Sequence, residues 1–549
     1  MRKIFTLIAG LMAWSTGLFA AEEVWSSSTM DAAGNEVRWT ADNVYILEGF
    51  VFVNDGQTLT IEAGTVIKGK PGQEANASAL IIAKGGKIMA NGTAAEPIIF
   101  TSEADDLAGS VPDQANGQWG GVIVLGKGAT SNSTAEKAIE GIPTSETRGL
   151  YGSDPAIEDD NSGVMKYVSI RHGGTDIGEG NEINGLTLGA VGSATTFSYI
   201  EIAANKDDGV EFFGGAPKCD HIVVAWVGDD SFDYDEGFSG KLQFLAAIQS
   251  TDAGDRLGEH DGGPSSNQLG MPYSHPVFSN VTYVGRGAAA GKRVVTFRDN
   301  AGGEYHNSIF AEQAKGIDIE YREDGGGSSL GQCSYSQWAD EGILKVENNI
   351  FQHIADGTRA GIFKVESPKD DNDIPLFTVP AAASTAFADY FATAGNEASD
   401  VGVDATNPTA SGNILGAVFT DMDAWFTPVG FKGAFKPNEN WASGWSLSLG
   451  EVVPKVNNYT GLDEQGVFEA KVNVFPNPAV DLITVVFENP NGLAHSFTLV
   501  DMAGRTVRMI YEIHGNSYQM DRDNLMDGIY VYILSNEKGA VAQGKLILK

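Results

Sequence analysis

Two copies of one acidic pattern, 22 positions apart, constrain this chain more than anything else in it. Asp207-Asp208-Gly209-Val210-Glu211-Phe212-Phe213-Gly214-Gly215 is answered by Asp229-Asp230-Ser231-Phe232-Asp233-Tyr234-Asp235-Glu236-Gly237. The apolar run before each copy keeps register, Ile200 and Ile202 matching Ile222 and Val224. A less acidic echo stands upstream at Asn184-Gly185-Leu186-Thr187-Leu188. A repeat of roughly 20 to 25 residues implies coils stacked on one another. With neighbouring strands about 4.8 Å apart, Asn184, Asp208 and Asp230 are expected in one ladder and Thr187, Glu211 and Asp233 in another. Alternation within the strand sends Val210 and Phe212 inward and Glu211 outward.

The rest of the chain fits a stack. Short Val/Ile/Thr/Phe runs are separated by Gly, Asn and Asp, as in Leu59-Thr60-Ile61-Glu62-Ala63-Gly64-Thr65-Val66-Ile67, which reads as many short strands and tight turns. The expected fold class is all-β: a right-handed parallel β-helix over residues 22–450 with a cap at each end, then a linker over 451–470. A small antiparallel β-sandwich of immunoglobulin-like type follows over 471–549. Val24 to Asp42 is expected as the first cap. Ala381 to Ala394, with Phe387, Tyr390 and Phe391 on one face, is expected as a helical lid over the far end. Trp425, Trp441 and Trp445 suit either the core of that terminal cap or a sugar-stacking platform. Ser131 to Ser162 and Asp252 to His275 read as surface loops, so His260 and His275 are expected as loop residues. Asn307 and Asn348 lie 41 positions apart, about two coils, and should stack their amides along the turn.

Residues 1–21 read as a secretory signal, with Arg2 and Lys3 ahead of the apolar run Ile4 to Phe19. Downstream no stretch has the 18 or so apolar residues of a membrane helix. The 36 basic residues against 72 acidic give a net charge of −36, which excludes a basic nucleic-acid interface. Cys219 and Cys333 leave two readings open, a pair of buried thiols or one disulfide, and supply no metal spacing.

The last eighty residues carry Val474-Phe475-Pro476-Asn477-Pro478, then Asp501-Met502-Ala503-Gly504-Arg505. Leu525-Met526-Asp527-Gly528-Ile529-Tyr530 and a terminal Gly544-Lys545-Leu546-Ile547-Leu548-Lys549 complete the series. In that order these landmarks resemble a type IX secretion C-terminal sorting domain of type A. The signature positions are Pro476, Asn477, Pro478, Gly504, Arg505, Gly528, Tyr530 and Lys545. The resemblance implies export through the inner and then the outer membrane, with the secretion machinery and its sortase as partners. It further implies release of the cargo or its attachment at the cell surface. Upstream, Leu59 to Gly69, Gly117 to Gly126, Asn181 to Gly192 and the acidic coils resemble exported right-handed β-helix proteins of unestablished activity.

Stacked carboxylates repel and raise one another's pKa unless something neutralises them. Calcium is one answer, a hard cation on hard oxygens; Asp207, Asp208, Glu211, Asp229, Asp230, Asp233, Asp235 and Glu236 are the candidate ligands. Solvated corner acids are another. A third is glycoside hydrolysis by a carboxylate pair, for which Asp208 and Asp230 are the candidates. Pectin-type hydrolases on this scaffold also carry Gly-His-Gly and Arg-Ile-Lys elements. Here Arg171-His172-Gly173-Gly174 is a poor substitute and Arg-Ile-Lys is missing. Lyase chemistry would need a base near the acids, and Lys206, Arg171 and Arg298 are the basic candidates. The reading that results is a secreted or cell-surface β-helix that binds polysaccharide or the cell envelope, with calcium rigidifying its acidic coils. A polysaccharide-degrading enzyme, hydrolase or lyase, is the alternative.

Overall fold

The computed structural model describes residues 21–450 and 472–549, apart from 74–75, 179–180, 265–266, 288–289, 324–331, 371, 488, 490–491, 502–505, 524 and 537–538. The expected signal segment, apart from Ala21, and the expected linker lie outside the described residues, as do Gly504 and Arg505. The chain divides into two compact units, Met1–Tyr459 and Thr460–Lys549.

The first unit is a parallel β-helix. One face is a sheet of ten strands taken in strict chain order: β1 (Phe50–Val53), β2 (Ala79–Ile82), β3 (Val122–Leu125), β4 (Leu186–Gly189), β5 (Val210–Phe213), β6 (Phe232–Asp235), β7 (Gly258–Asp261), β8 (Arg293–Arg298), β9 (Lys315–Glu320) and β10 (Phe363–Glu366). Every pairing is parallel, and Thr187, Glu211 and Asp233 fall in one row as the repeat predicted. Alternate residues fill the interior, among them Val51, Leu80, Val122, Leu186, Val210 and Phe232. The other two faces are made by strands that run on from one face to the next. Gly163–Arg171, Thr196–Ala203, Lys218–Ala225 and Lys241–Ile248 each bend at one left-handed residue: Tyr167, Tyr199, His221 and Phe244, with φ of 48, 56, 54 and 59°. Bulky side chains rarely adopt that conformation. Stacking of the four rings, at 4.4, 4.3 and 4.8 Å between successive centroids, offsets the strain. The same corner then passes to Asn280, Asn307 and Asn348, also left-handed, where asparagine is better tolerated.

A helix stands at each end of the stack, and Glu36–Trp39, expected within the first cap, is a strand paired with Thr58–Ile61. At the start, Ser27–Ala32 forms a short helix that buries Met30, with the Ser26 hydroxyl accepting from Thr29 N–H. At the far end Ala381–Thr393 is helical, burying Phe387 and Phe391 against Phe363.

Four expectations need correction. Asn307 and Asn348 are one coil apart, since Ile309 pairs directly with Ile350; the extra residues form an excursion between the coils. Their amides do stack, Asn348 Nδ2 donating to Asn307 Oδ1 at 2.8 Å. The Asp252 to His275 stretch contains β7, and His260 is an interior residue sandwiched against Tyr234 with no exposed surface. Ser131 to Ser162 includes a flap whose Ile139, Ile142 and Tyr151 are buried on Phe52, Ile81, Ile123, Leu125 and Phe213. Finally, Trp441 and Trp445 do not close an end. Residues 399–449 form a strap that runs back along the stack. It is held successively by Gln352, Asn307, Asn280 and Thr282, through bonds to Val403, Val418, Phe431 and Ala434. Trp441 then packs edge-on to His221 and Trp445 to Tyr167. The two tryptophans are core residues of that strap; Trp445 is fully buried. Cys219 and Cys333 are separate buried thiols.

The second unit packs an antiparallel three-stranded sheet on a four-stranded one around Ile483, Val485, Phe497, Leu499 and Leu534, the sandwich that the sequence predicted. Its signature residues knit chain ends together. Asn477 Nδ2 donates to Lys545 O at 2.7 Å while Asn477 Oδ1 accepts from Ile547 N–H at 2.9 Å. Tyr530 hydroxyl donates to Met526 O at 2.8 Å.

Candidate functional site

Outward positions of the ten-stranded sheet form two rows. Following the register, one reads Phe52, Ile81, Ile123, Thr187, Glu211, Asp233, Glu259, Thr296, Asp318, Lys364; the other reads Leu125, Gly189, Phe213, Asp235, Asp261, Arg298, Glu320, Glu366. The face therefore changes along the stack from apolar, through carboxylate, to carboxylates mixed with Thr296, Arg298 and Lys364. The flap covers the apolar part.

The carboxylate part is a ladder one coil to the next. Asp208 Oδ1 accepts from Asp230 N–H at 2.8 Å, and Asp230 Oδ1 accepts from Arg256 N–H. Each acid thus caps the corner of the following coil. Asp208, Glu211 and Asp233 bring one carboxylate oxygen each within 4.8 Å of one another. Asp207, Asp208 and Asp229 form a second such group, and Asp229, Asp230 and Asp255 a third. Asn184 completes the first: its Nδ2 donates to Glu211, while its Oδ1 is buried without a partner, as is Asp233 Oδ1. Among the described residues no Lys or Arg makes an ion pair with Asp208, Glu211 or Asp233. The other predicted ligands are elsewhere. Asp235 stands in the second row beside Asp261. Glu236 is fully buried and holds the flap, accepting from Tyr151, Asn132 and Lys137.

Residues 31–394 match the family described as the pectate-lyase-like β-helix domain. The chain belongs to that family. Residues 473–549 of this pectate-lyase-like β-helix match the secretion system C-terminal sorting domain, which marks the protein for export to the cell surface or the medium. A search of curated proteins finds no match. No helix among the described residues is long and apolar enough to cross a membrane.

Burial first, then mutual repulsion, holds the Asp208, Glu211 and Asp233 carboxyls of the β-helix well above the ordinary range. Asp230 is raised by burial and by Glu259, even though Arg256 lies 3.2 Å from it. Asp235 is pushed up to about 7, by burial and then Asp261. Farther along the same face lies an open cleft of 660 Å³, lined by Arg256, Arg293, Arg298 and Arg322 with Asp318 and Glu320 between them. Arg256 bridges Asp230 and Glu259, Arg298 bridges Glu259 and Asp261, and Arg293 pairs with Asp318 and Glu366. Burial raises Asp318 to about 6 and Glu320 to about 7.

Of the basic candidates, Arg298 is on this face. Arg171 is buried on another sheet, its Nε donating to Ser169. Arg256, which contacts the acidic ladder at Asp230, was missed, as were Glu259 and Asp261. Asp208 and Asp230 keep 7% and 1% exposure, which leaves little surface for a sugar ring between them.

Proposed function

We propose that this exported β-helix is a polysaccharide-binding module whose acidic ladder is loaded with calcium and whose neighbouring arginine cleft holds the glycan. The observation that carries the reading is the group Asp208, Glu211 and Asp233. Its oxygens, no more than 4.8 Å apart, suit a shared ion, because two oxygens on opposite sides of one calcium at about 2.4 Å each lie about that far apart. The buried, unpartnered oxygens of Asn184 and Asp233 are the neutral and charged ligands such an ion would complete. Calcium there would supply charge neutralisation and rigidity. The cleft supports the second half of the reading: guanidinium groups that line it, held by carboxylates, present fixed donors to hydroxyl or carboxylate groups of a chain lying along the sheet.

Binding is favoured over hydrolysis because Asp208 and Asp230 cap successive corners, buried, whereas a hydrolytic pair must flank an accessible glycosidic bond. The test uses the mature protein with calcium, magnesium or chelator, following its melting temperature and its retention on a panel of neutral and acidic polysaccharides, with chain cleavage scored alongside. Calcium is expected to raise the melting temperature and retention, and Asp233→Asn to abolish both responses. A melting temperature indifferent to calcium would sink the metal reading. Cleavage lost on Asp208→Asn or Asp230→Asn would make the protein an enzyme.

A further inference from the structure

Every cation that lines the arginine cleft already carries an acid partner. Arg256 is held by Glu259 at 2.7 Å and Asp230 at 3.2 Å, and Arg298 by Glu259 at 2.5 Å and Asp261 at 2.6 Å. Arg293 pairs with Asp318 and Glu366, Arg322 with Glu320 at 3.6 Å, and Lys369 with Asp373 at 2.9 Å. The described lining residues are five basic and five acidic, a formal net charge of zero. Beside the cleft, Asp230, Asp255, Glu259 and Asp261 also hold its arginines, and Lys292 pairs with Asp255. With these the group holds six bases against nine acids, a net −3. A polyanion lying here would have to pull guanidiniums from their carboxylates and then sit among those carboxylates. Like charges set side by side in this way exclude a partner.

A neutral side chain points the same way. Gln268 lines the cleft and keeps 7% exposure. Its Nε2 donates to Asp299, which fixes the amide, and its Oε1 is buried without a partner. A lone acceptor needs a donor. A sugar hydroxyl donates and accepts at once, whereas the ionised carboxylate of a uronate, like a sulfate ester, accepts only. None of the described lining residues is aromatic, so hydrogen bonds rather than ring stacking must do the recognising.

Resting on the glycan-binding reading above, we infer that the cleft selects a neutral, hydroxyl-rich polysaccharide and rejects polyuronates and sulfated chains. Guanidinium N–H groups donate to its hydroxyl oxygens, while Gln268 Oε1 and the flanking carboxylates accept from its hydroxyls. The acid partners of the arginines set this preference.

The experiment follows the mature protein by affinity electrophoresis through gels containing a neutral glucan, mannan or xylan, or polygalacturonate, alginate or chondroitin sulfate. It is run at about pH 8, where Asp318 and Glu320, raised by burial to about 6 and about 7, are ionised. Each gel is run with calcium and with chelator, at ~50 and ~300 mM salt. At least one neutral glycan should be held about tenfold or more tighter than every polyanion, unchanged across the salt range. Asp318→Asn with Glu366→Gln frees Arg293 and should raise polygalacturonate retention by about tenfold, in a salt-sensitive way. The wild-type comparison decides even where that variant is unstable. Polyanions held as tightly as the neutral glycans, with calcium or without, would overturn the inference and leave glycan binding standing. A folded variant that gains no polyanion retention would overturn the role given to the ion pairs. Retention on neither class would remove the glycan-binding reading, and the inference with it.

Discussion

Glu201 offers a sharp test of how the strap is held. It lies on Thr196–Ala203 with no exposed surface. Its Oε2 accepts from the Ser169 hydroxyl at 2.5 Å and from Leu447 N–H at 2.8 Å; its Oε1 accepts from Ser448 N–H and the Ser448 hydroxyl, both at 2.7 Å. Each oxygen therefore takes one strap amide. Glutamine fails in either orientation, because its NH₂ must face a backbone donor. One charge-assisted bond, of about 1.5–3 kcal/mol, is lost, and one buried donor is orphaned at about 1–3 kcal/mol. Arg171, buried nearby, also loses the opposing charge that favours its protonated form. Glu201→Gln should thus cost about 3–5 kcal/mol of strap docking. Hydrogen exchange reads this directly: protection at Leu447 and Ser448 should fall by about 10²–10⁴-fold, while the central strands keep theirs. Unchanged protection at those two amides would refute the clasp. A loss spread evenly over the coils would refute its local character.

Two other perturbations follow from the same geometry. Asp318 and Glu320, raised by burial to about 6 and about 7, bind protons more tightly folded than unfolded. Their contribution is fully present below about pH 4 and is lost as pH rises through 6 to 7, by about 3 kcal/mol each. In chelator the melting temperature should therefore fall between pH 5 and pH 8, and Asp318→Asn with Glu320→Gln should flatten that fall; a parallel fall in the variant would contradict it. Ile142→Ala removes a side chain of the flap with 4% exposure and should cost about 2–5 kcal/mol, visible as proteolysis confined to residues 131–152. Cleavage elsewhere first would show that the flap is not an independent unit.

How much of this was legible in the sequence depends on coil length. Where coils keep a length of 22, as from Val210 to Phe232, the acids align by eye and the predicted ladder of Thr187, Glu211 and Asp233 is real. The next coil is 26 positions, Phe232 to Gly258, and the one after it 37, Gly258 to Val295. Excursions of differing length erase the period, so Glu259, Asp261 and Arg256 looked like loop residues. The flap hid for a related reason. Its apolar residues, Ile139, Ile142 and Tyr151, are too few and too widely spaced to show a period. They are explained only by the apolar outward positions they cover, and those positions become a patch only when β1 to β3 are stacked. The strap is the extreme case, since its partners lie up to 247 positions away in sequence.

The division of the outward face also bears on where a ligand can sit. Strands β1 to β3 turn out residues that could only be buried, and the flap buries them. At β5 and β6 the same row turns out Glu211 and Asp233, carboxylates whose burial is relieved by a proton or a cation rather than by solvent. A proton relieves one carboxyl at a time, and burial with mutual repulsion already raises Asp208, Glu211 and Asp233 toward holding it. On the proposed reading one calcium ion would relieve several together, and the 10⁻⁴–10⁻³ M affinity usual for extracellular calcium modules, as an order of magnitude, would suffice outside the cell. On the proposed reading the ladder would fill on export and stiffen the face next to the cleft. The consequence is a definite order of effects: Glu211→Gln with Asp233→Asn should remove the calcium dependence of glycan retention but leave retention itself measurable, because Arg293 and Arg298 remain in place. If that variant binds no glycan even at saturating calcium, the acids contact the ligand themselves and the separation of ladder from cleft is wrong.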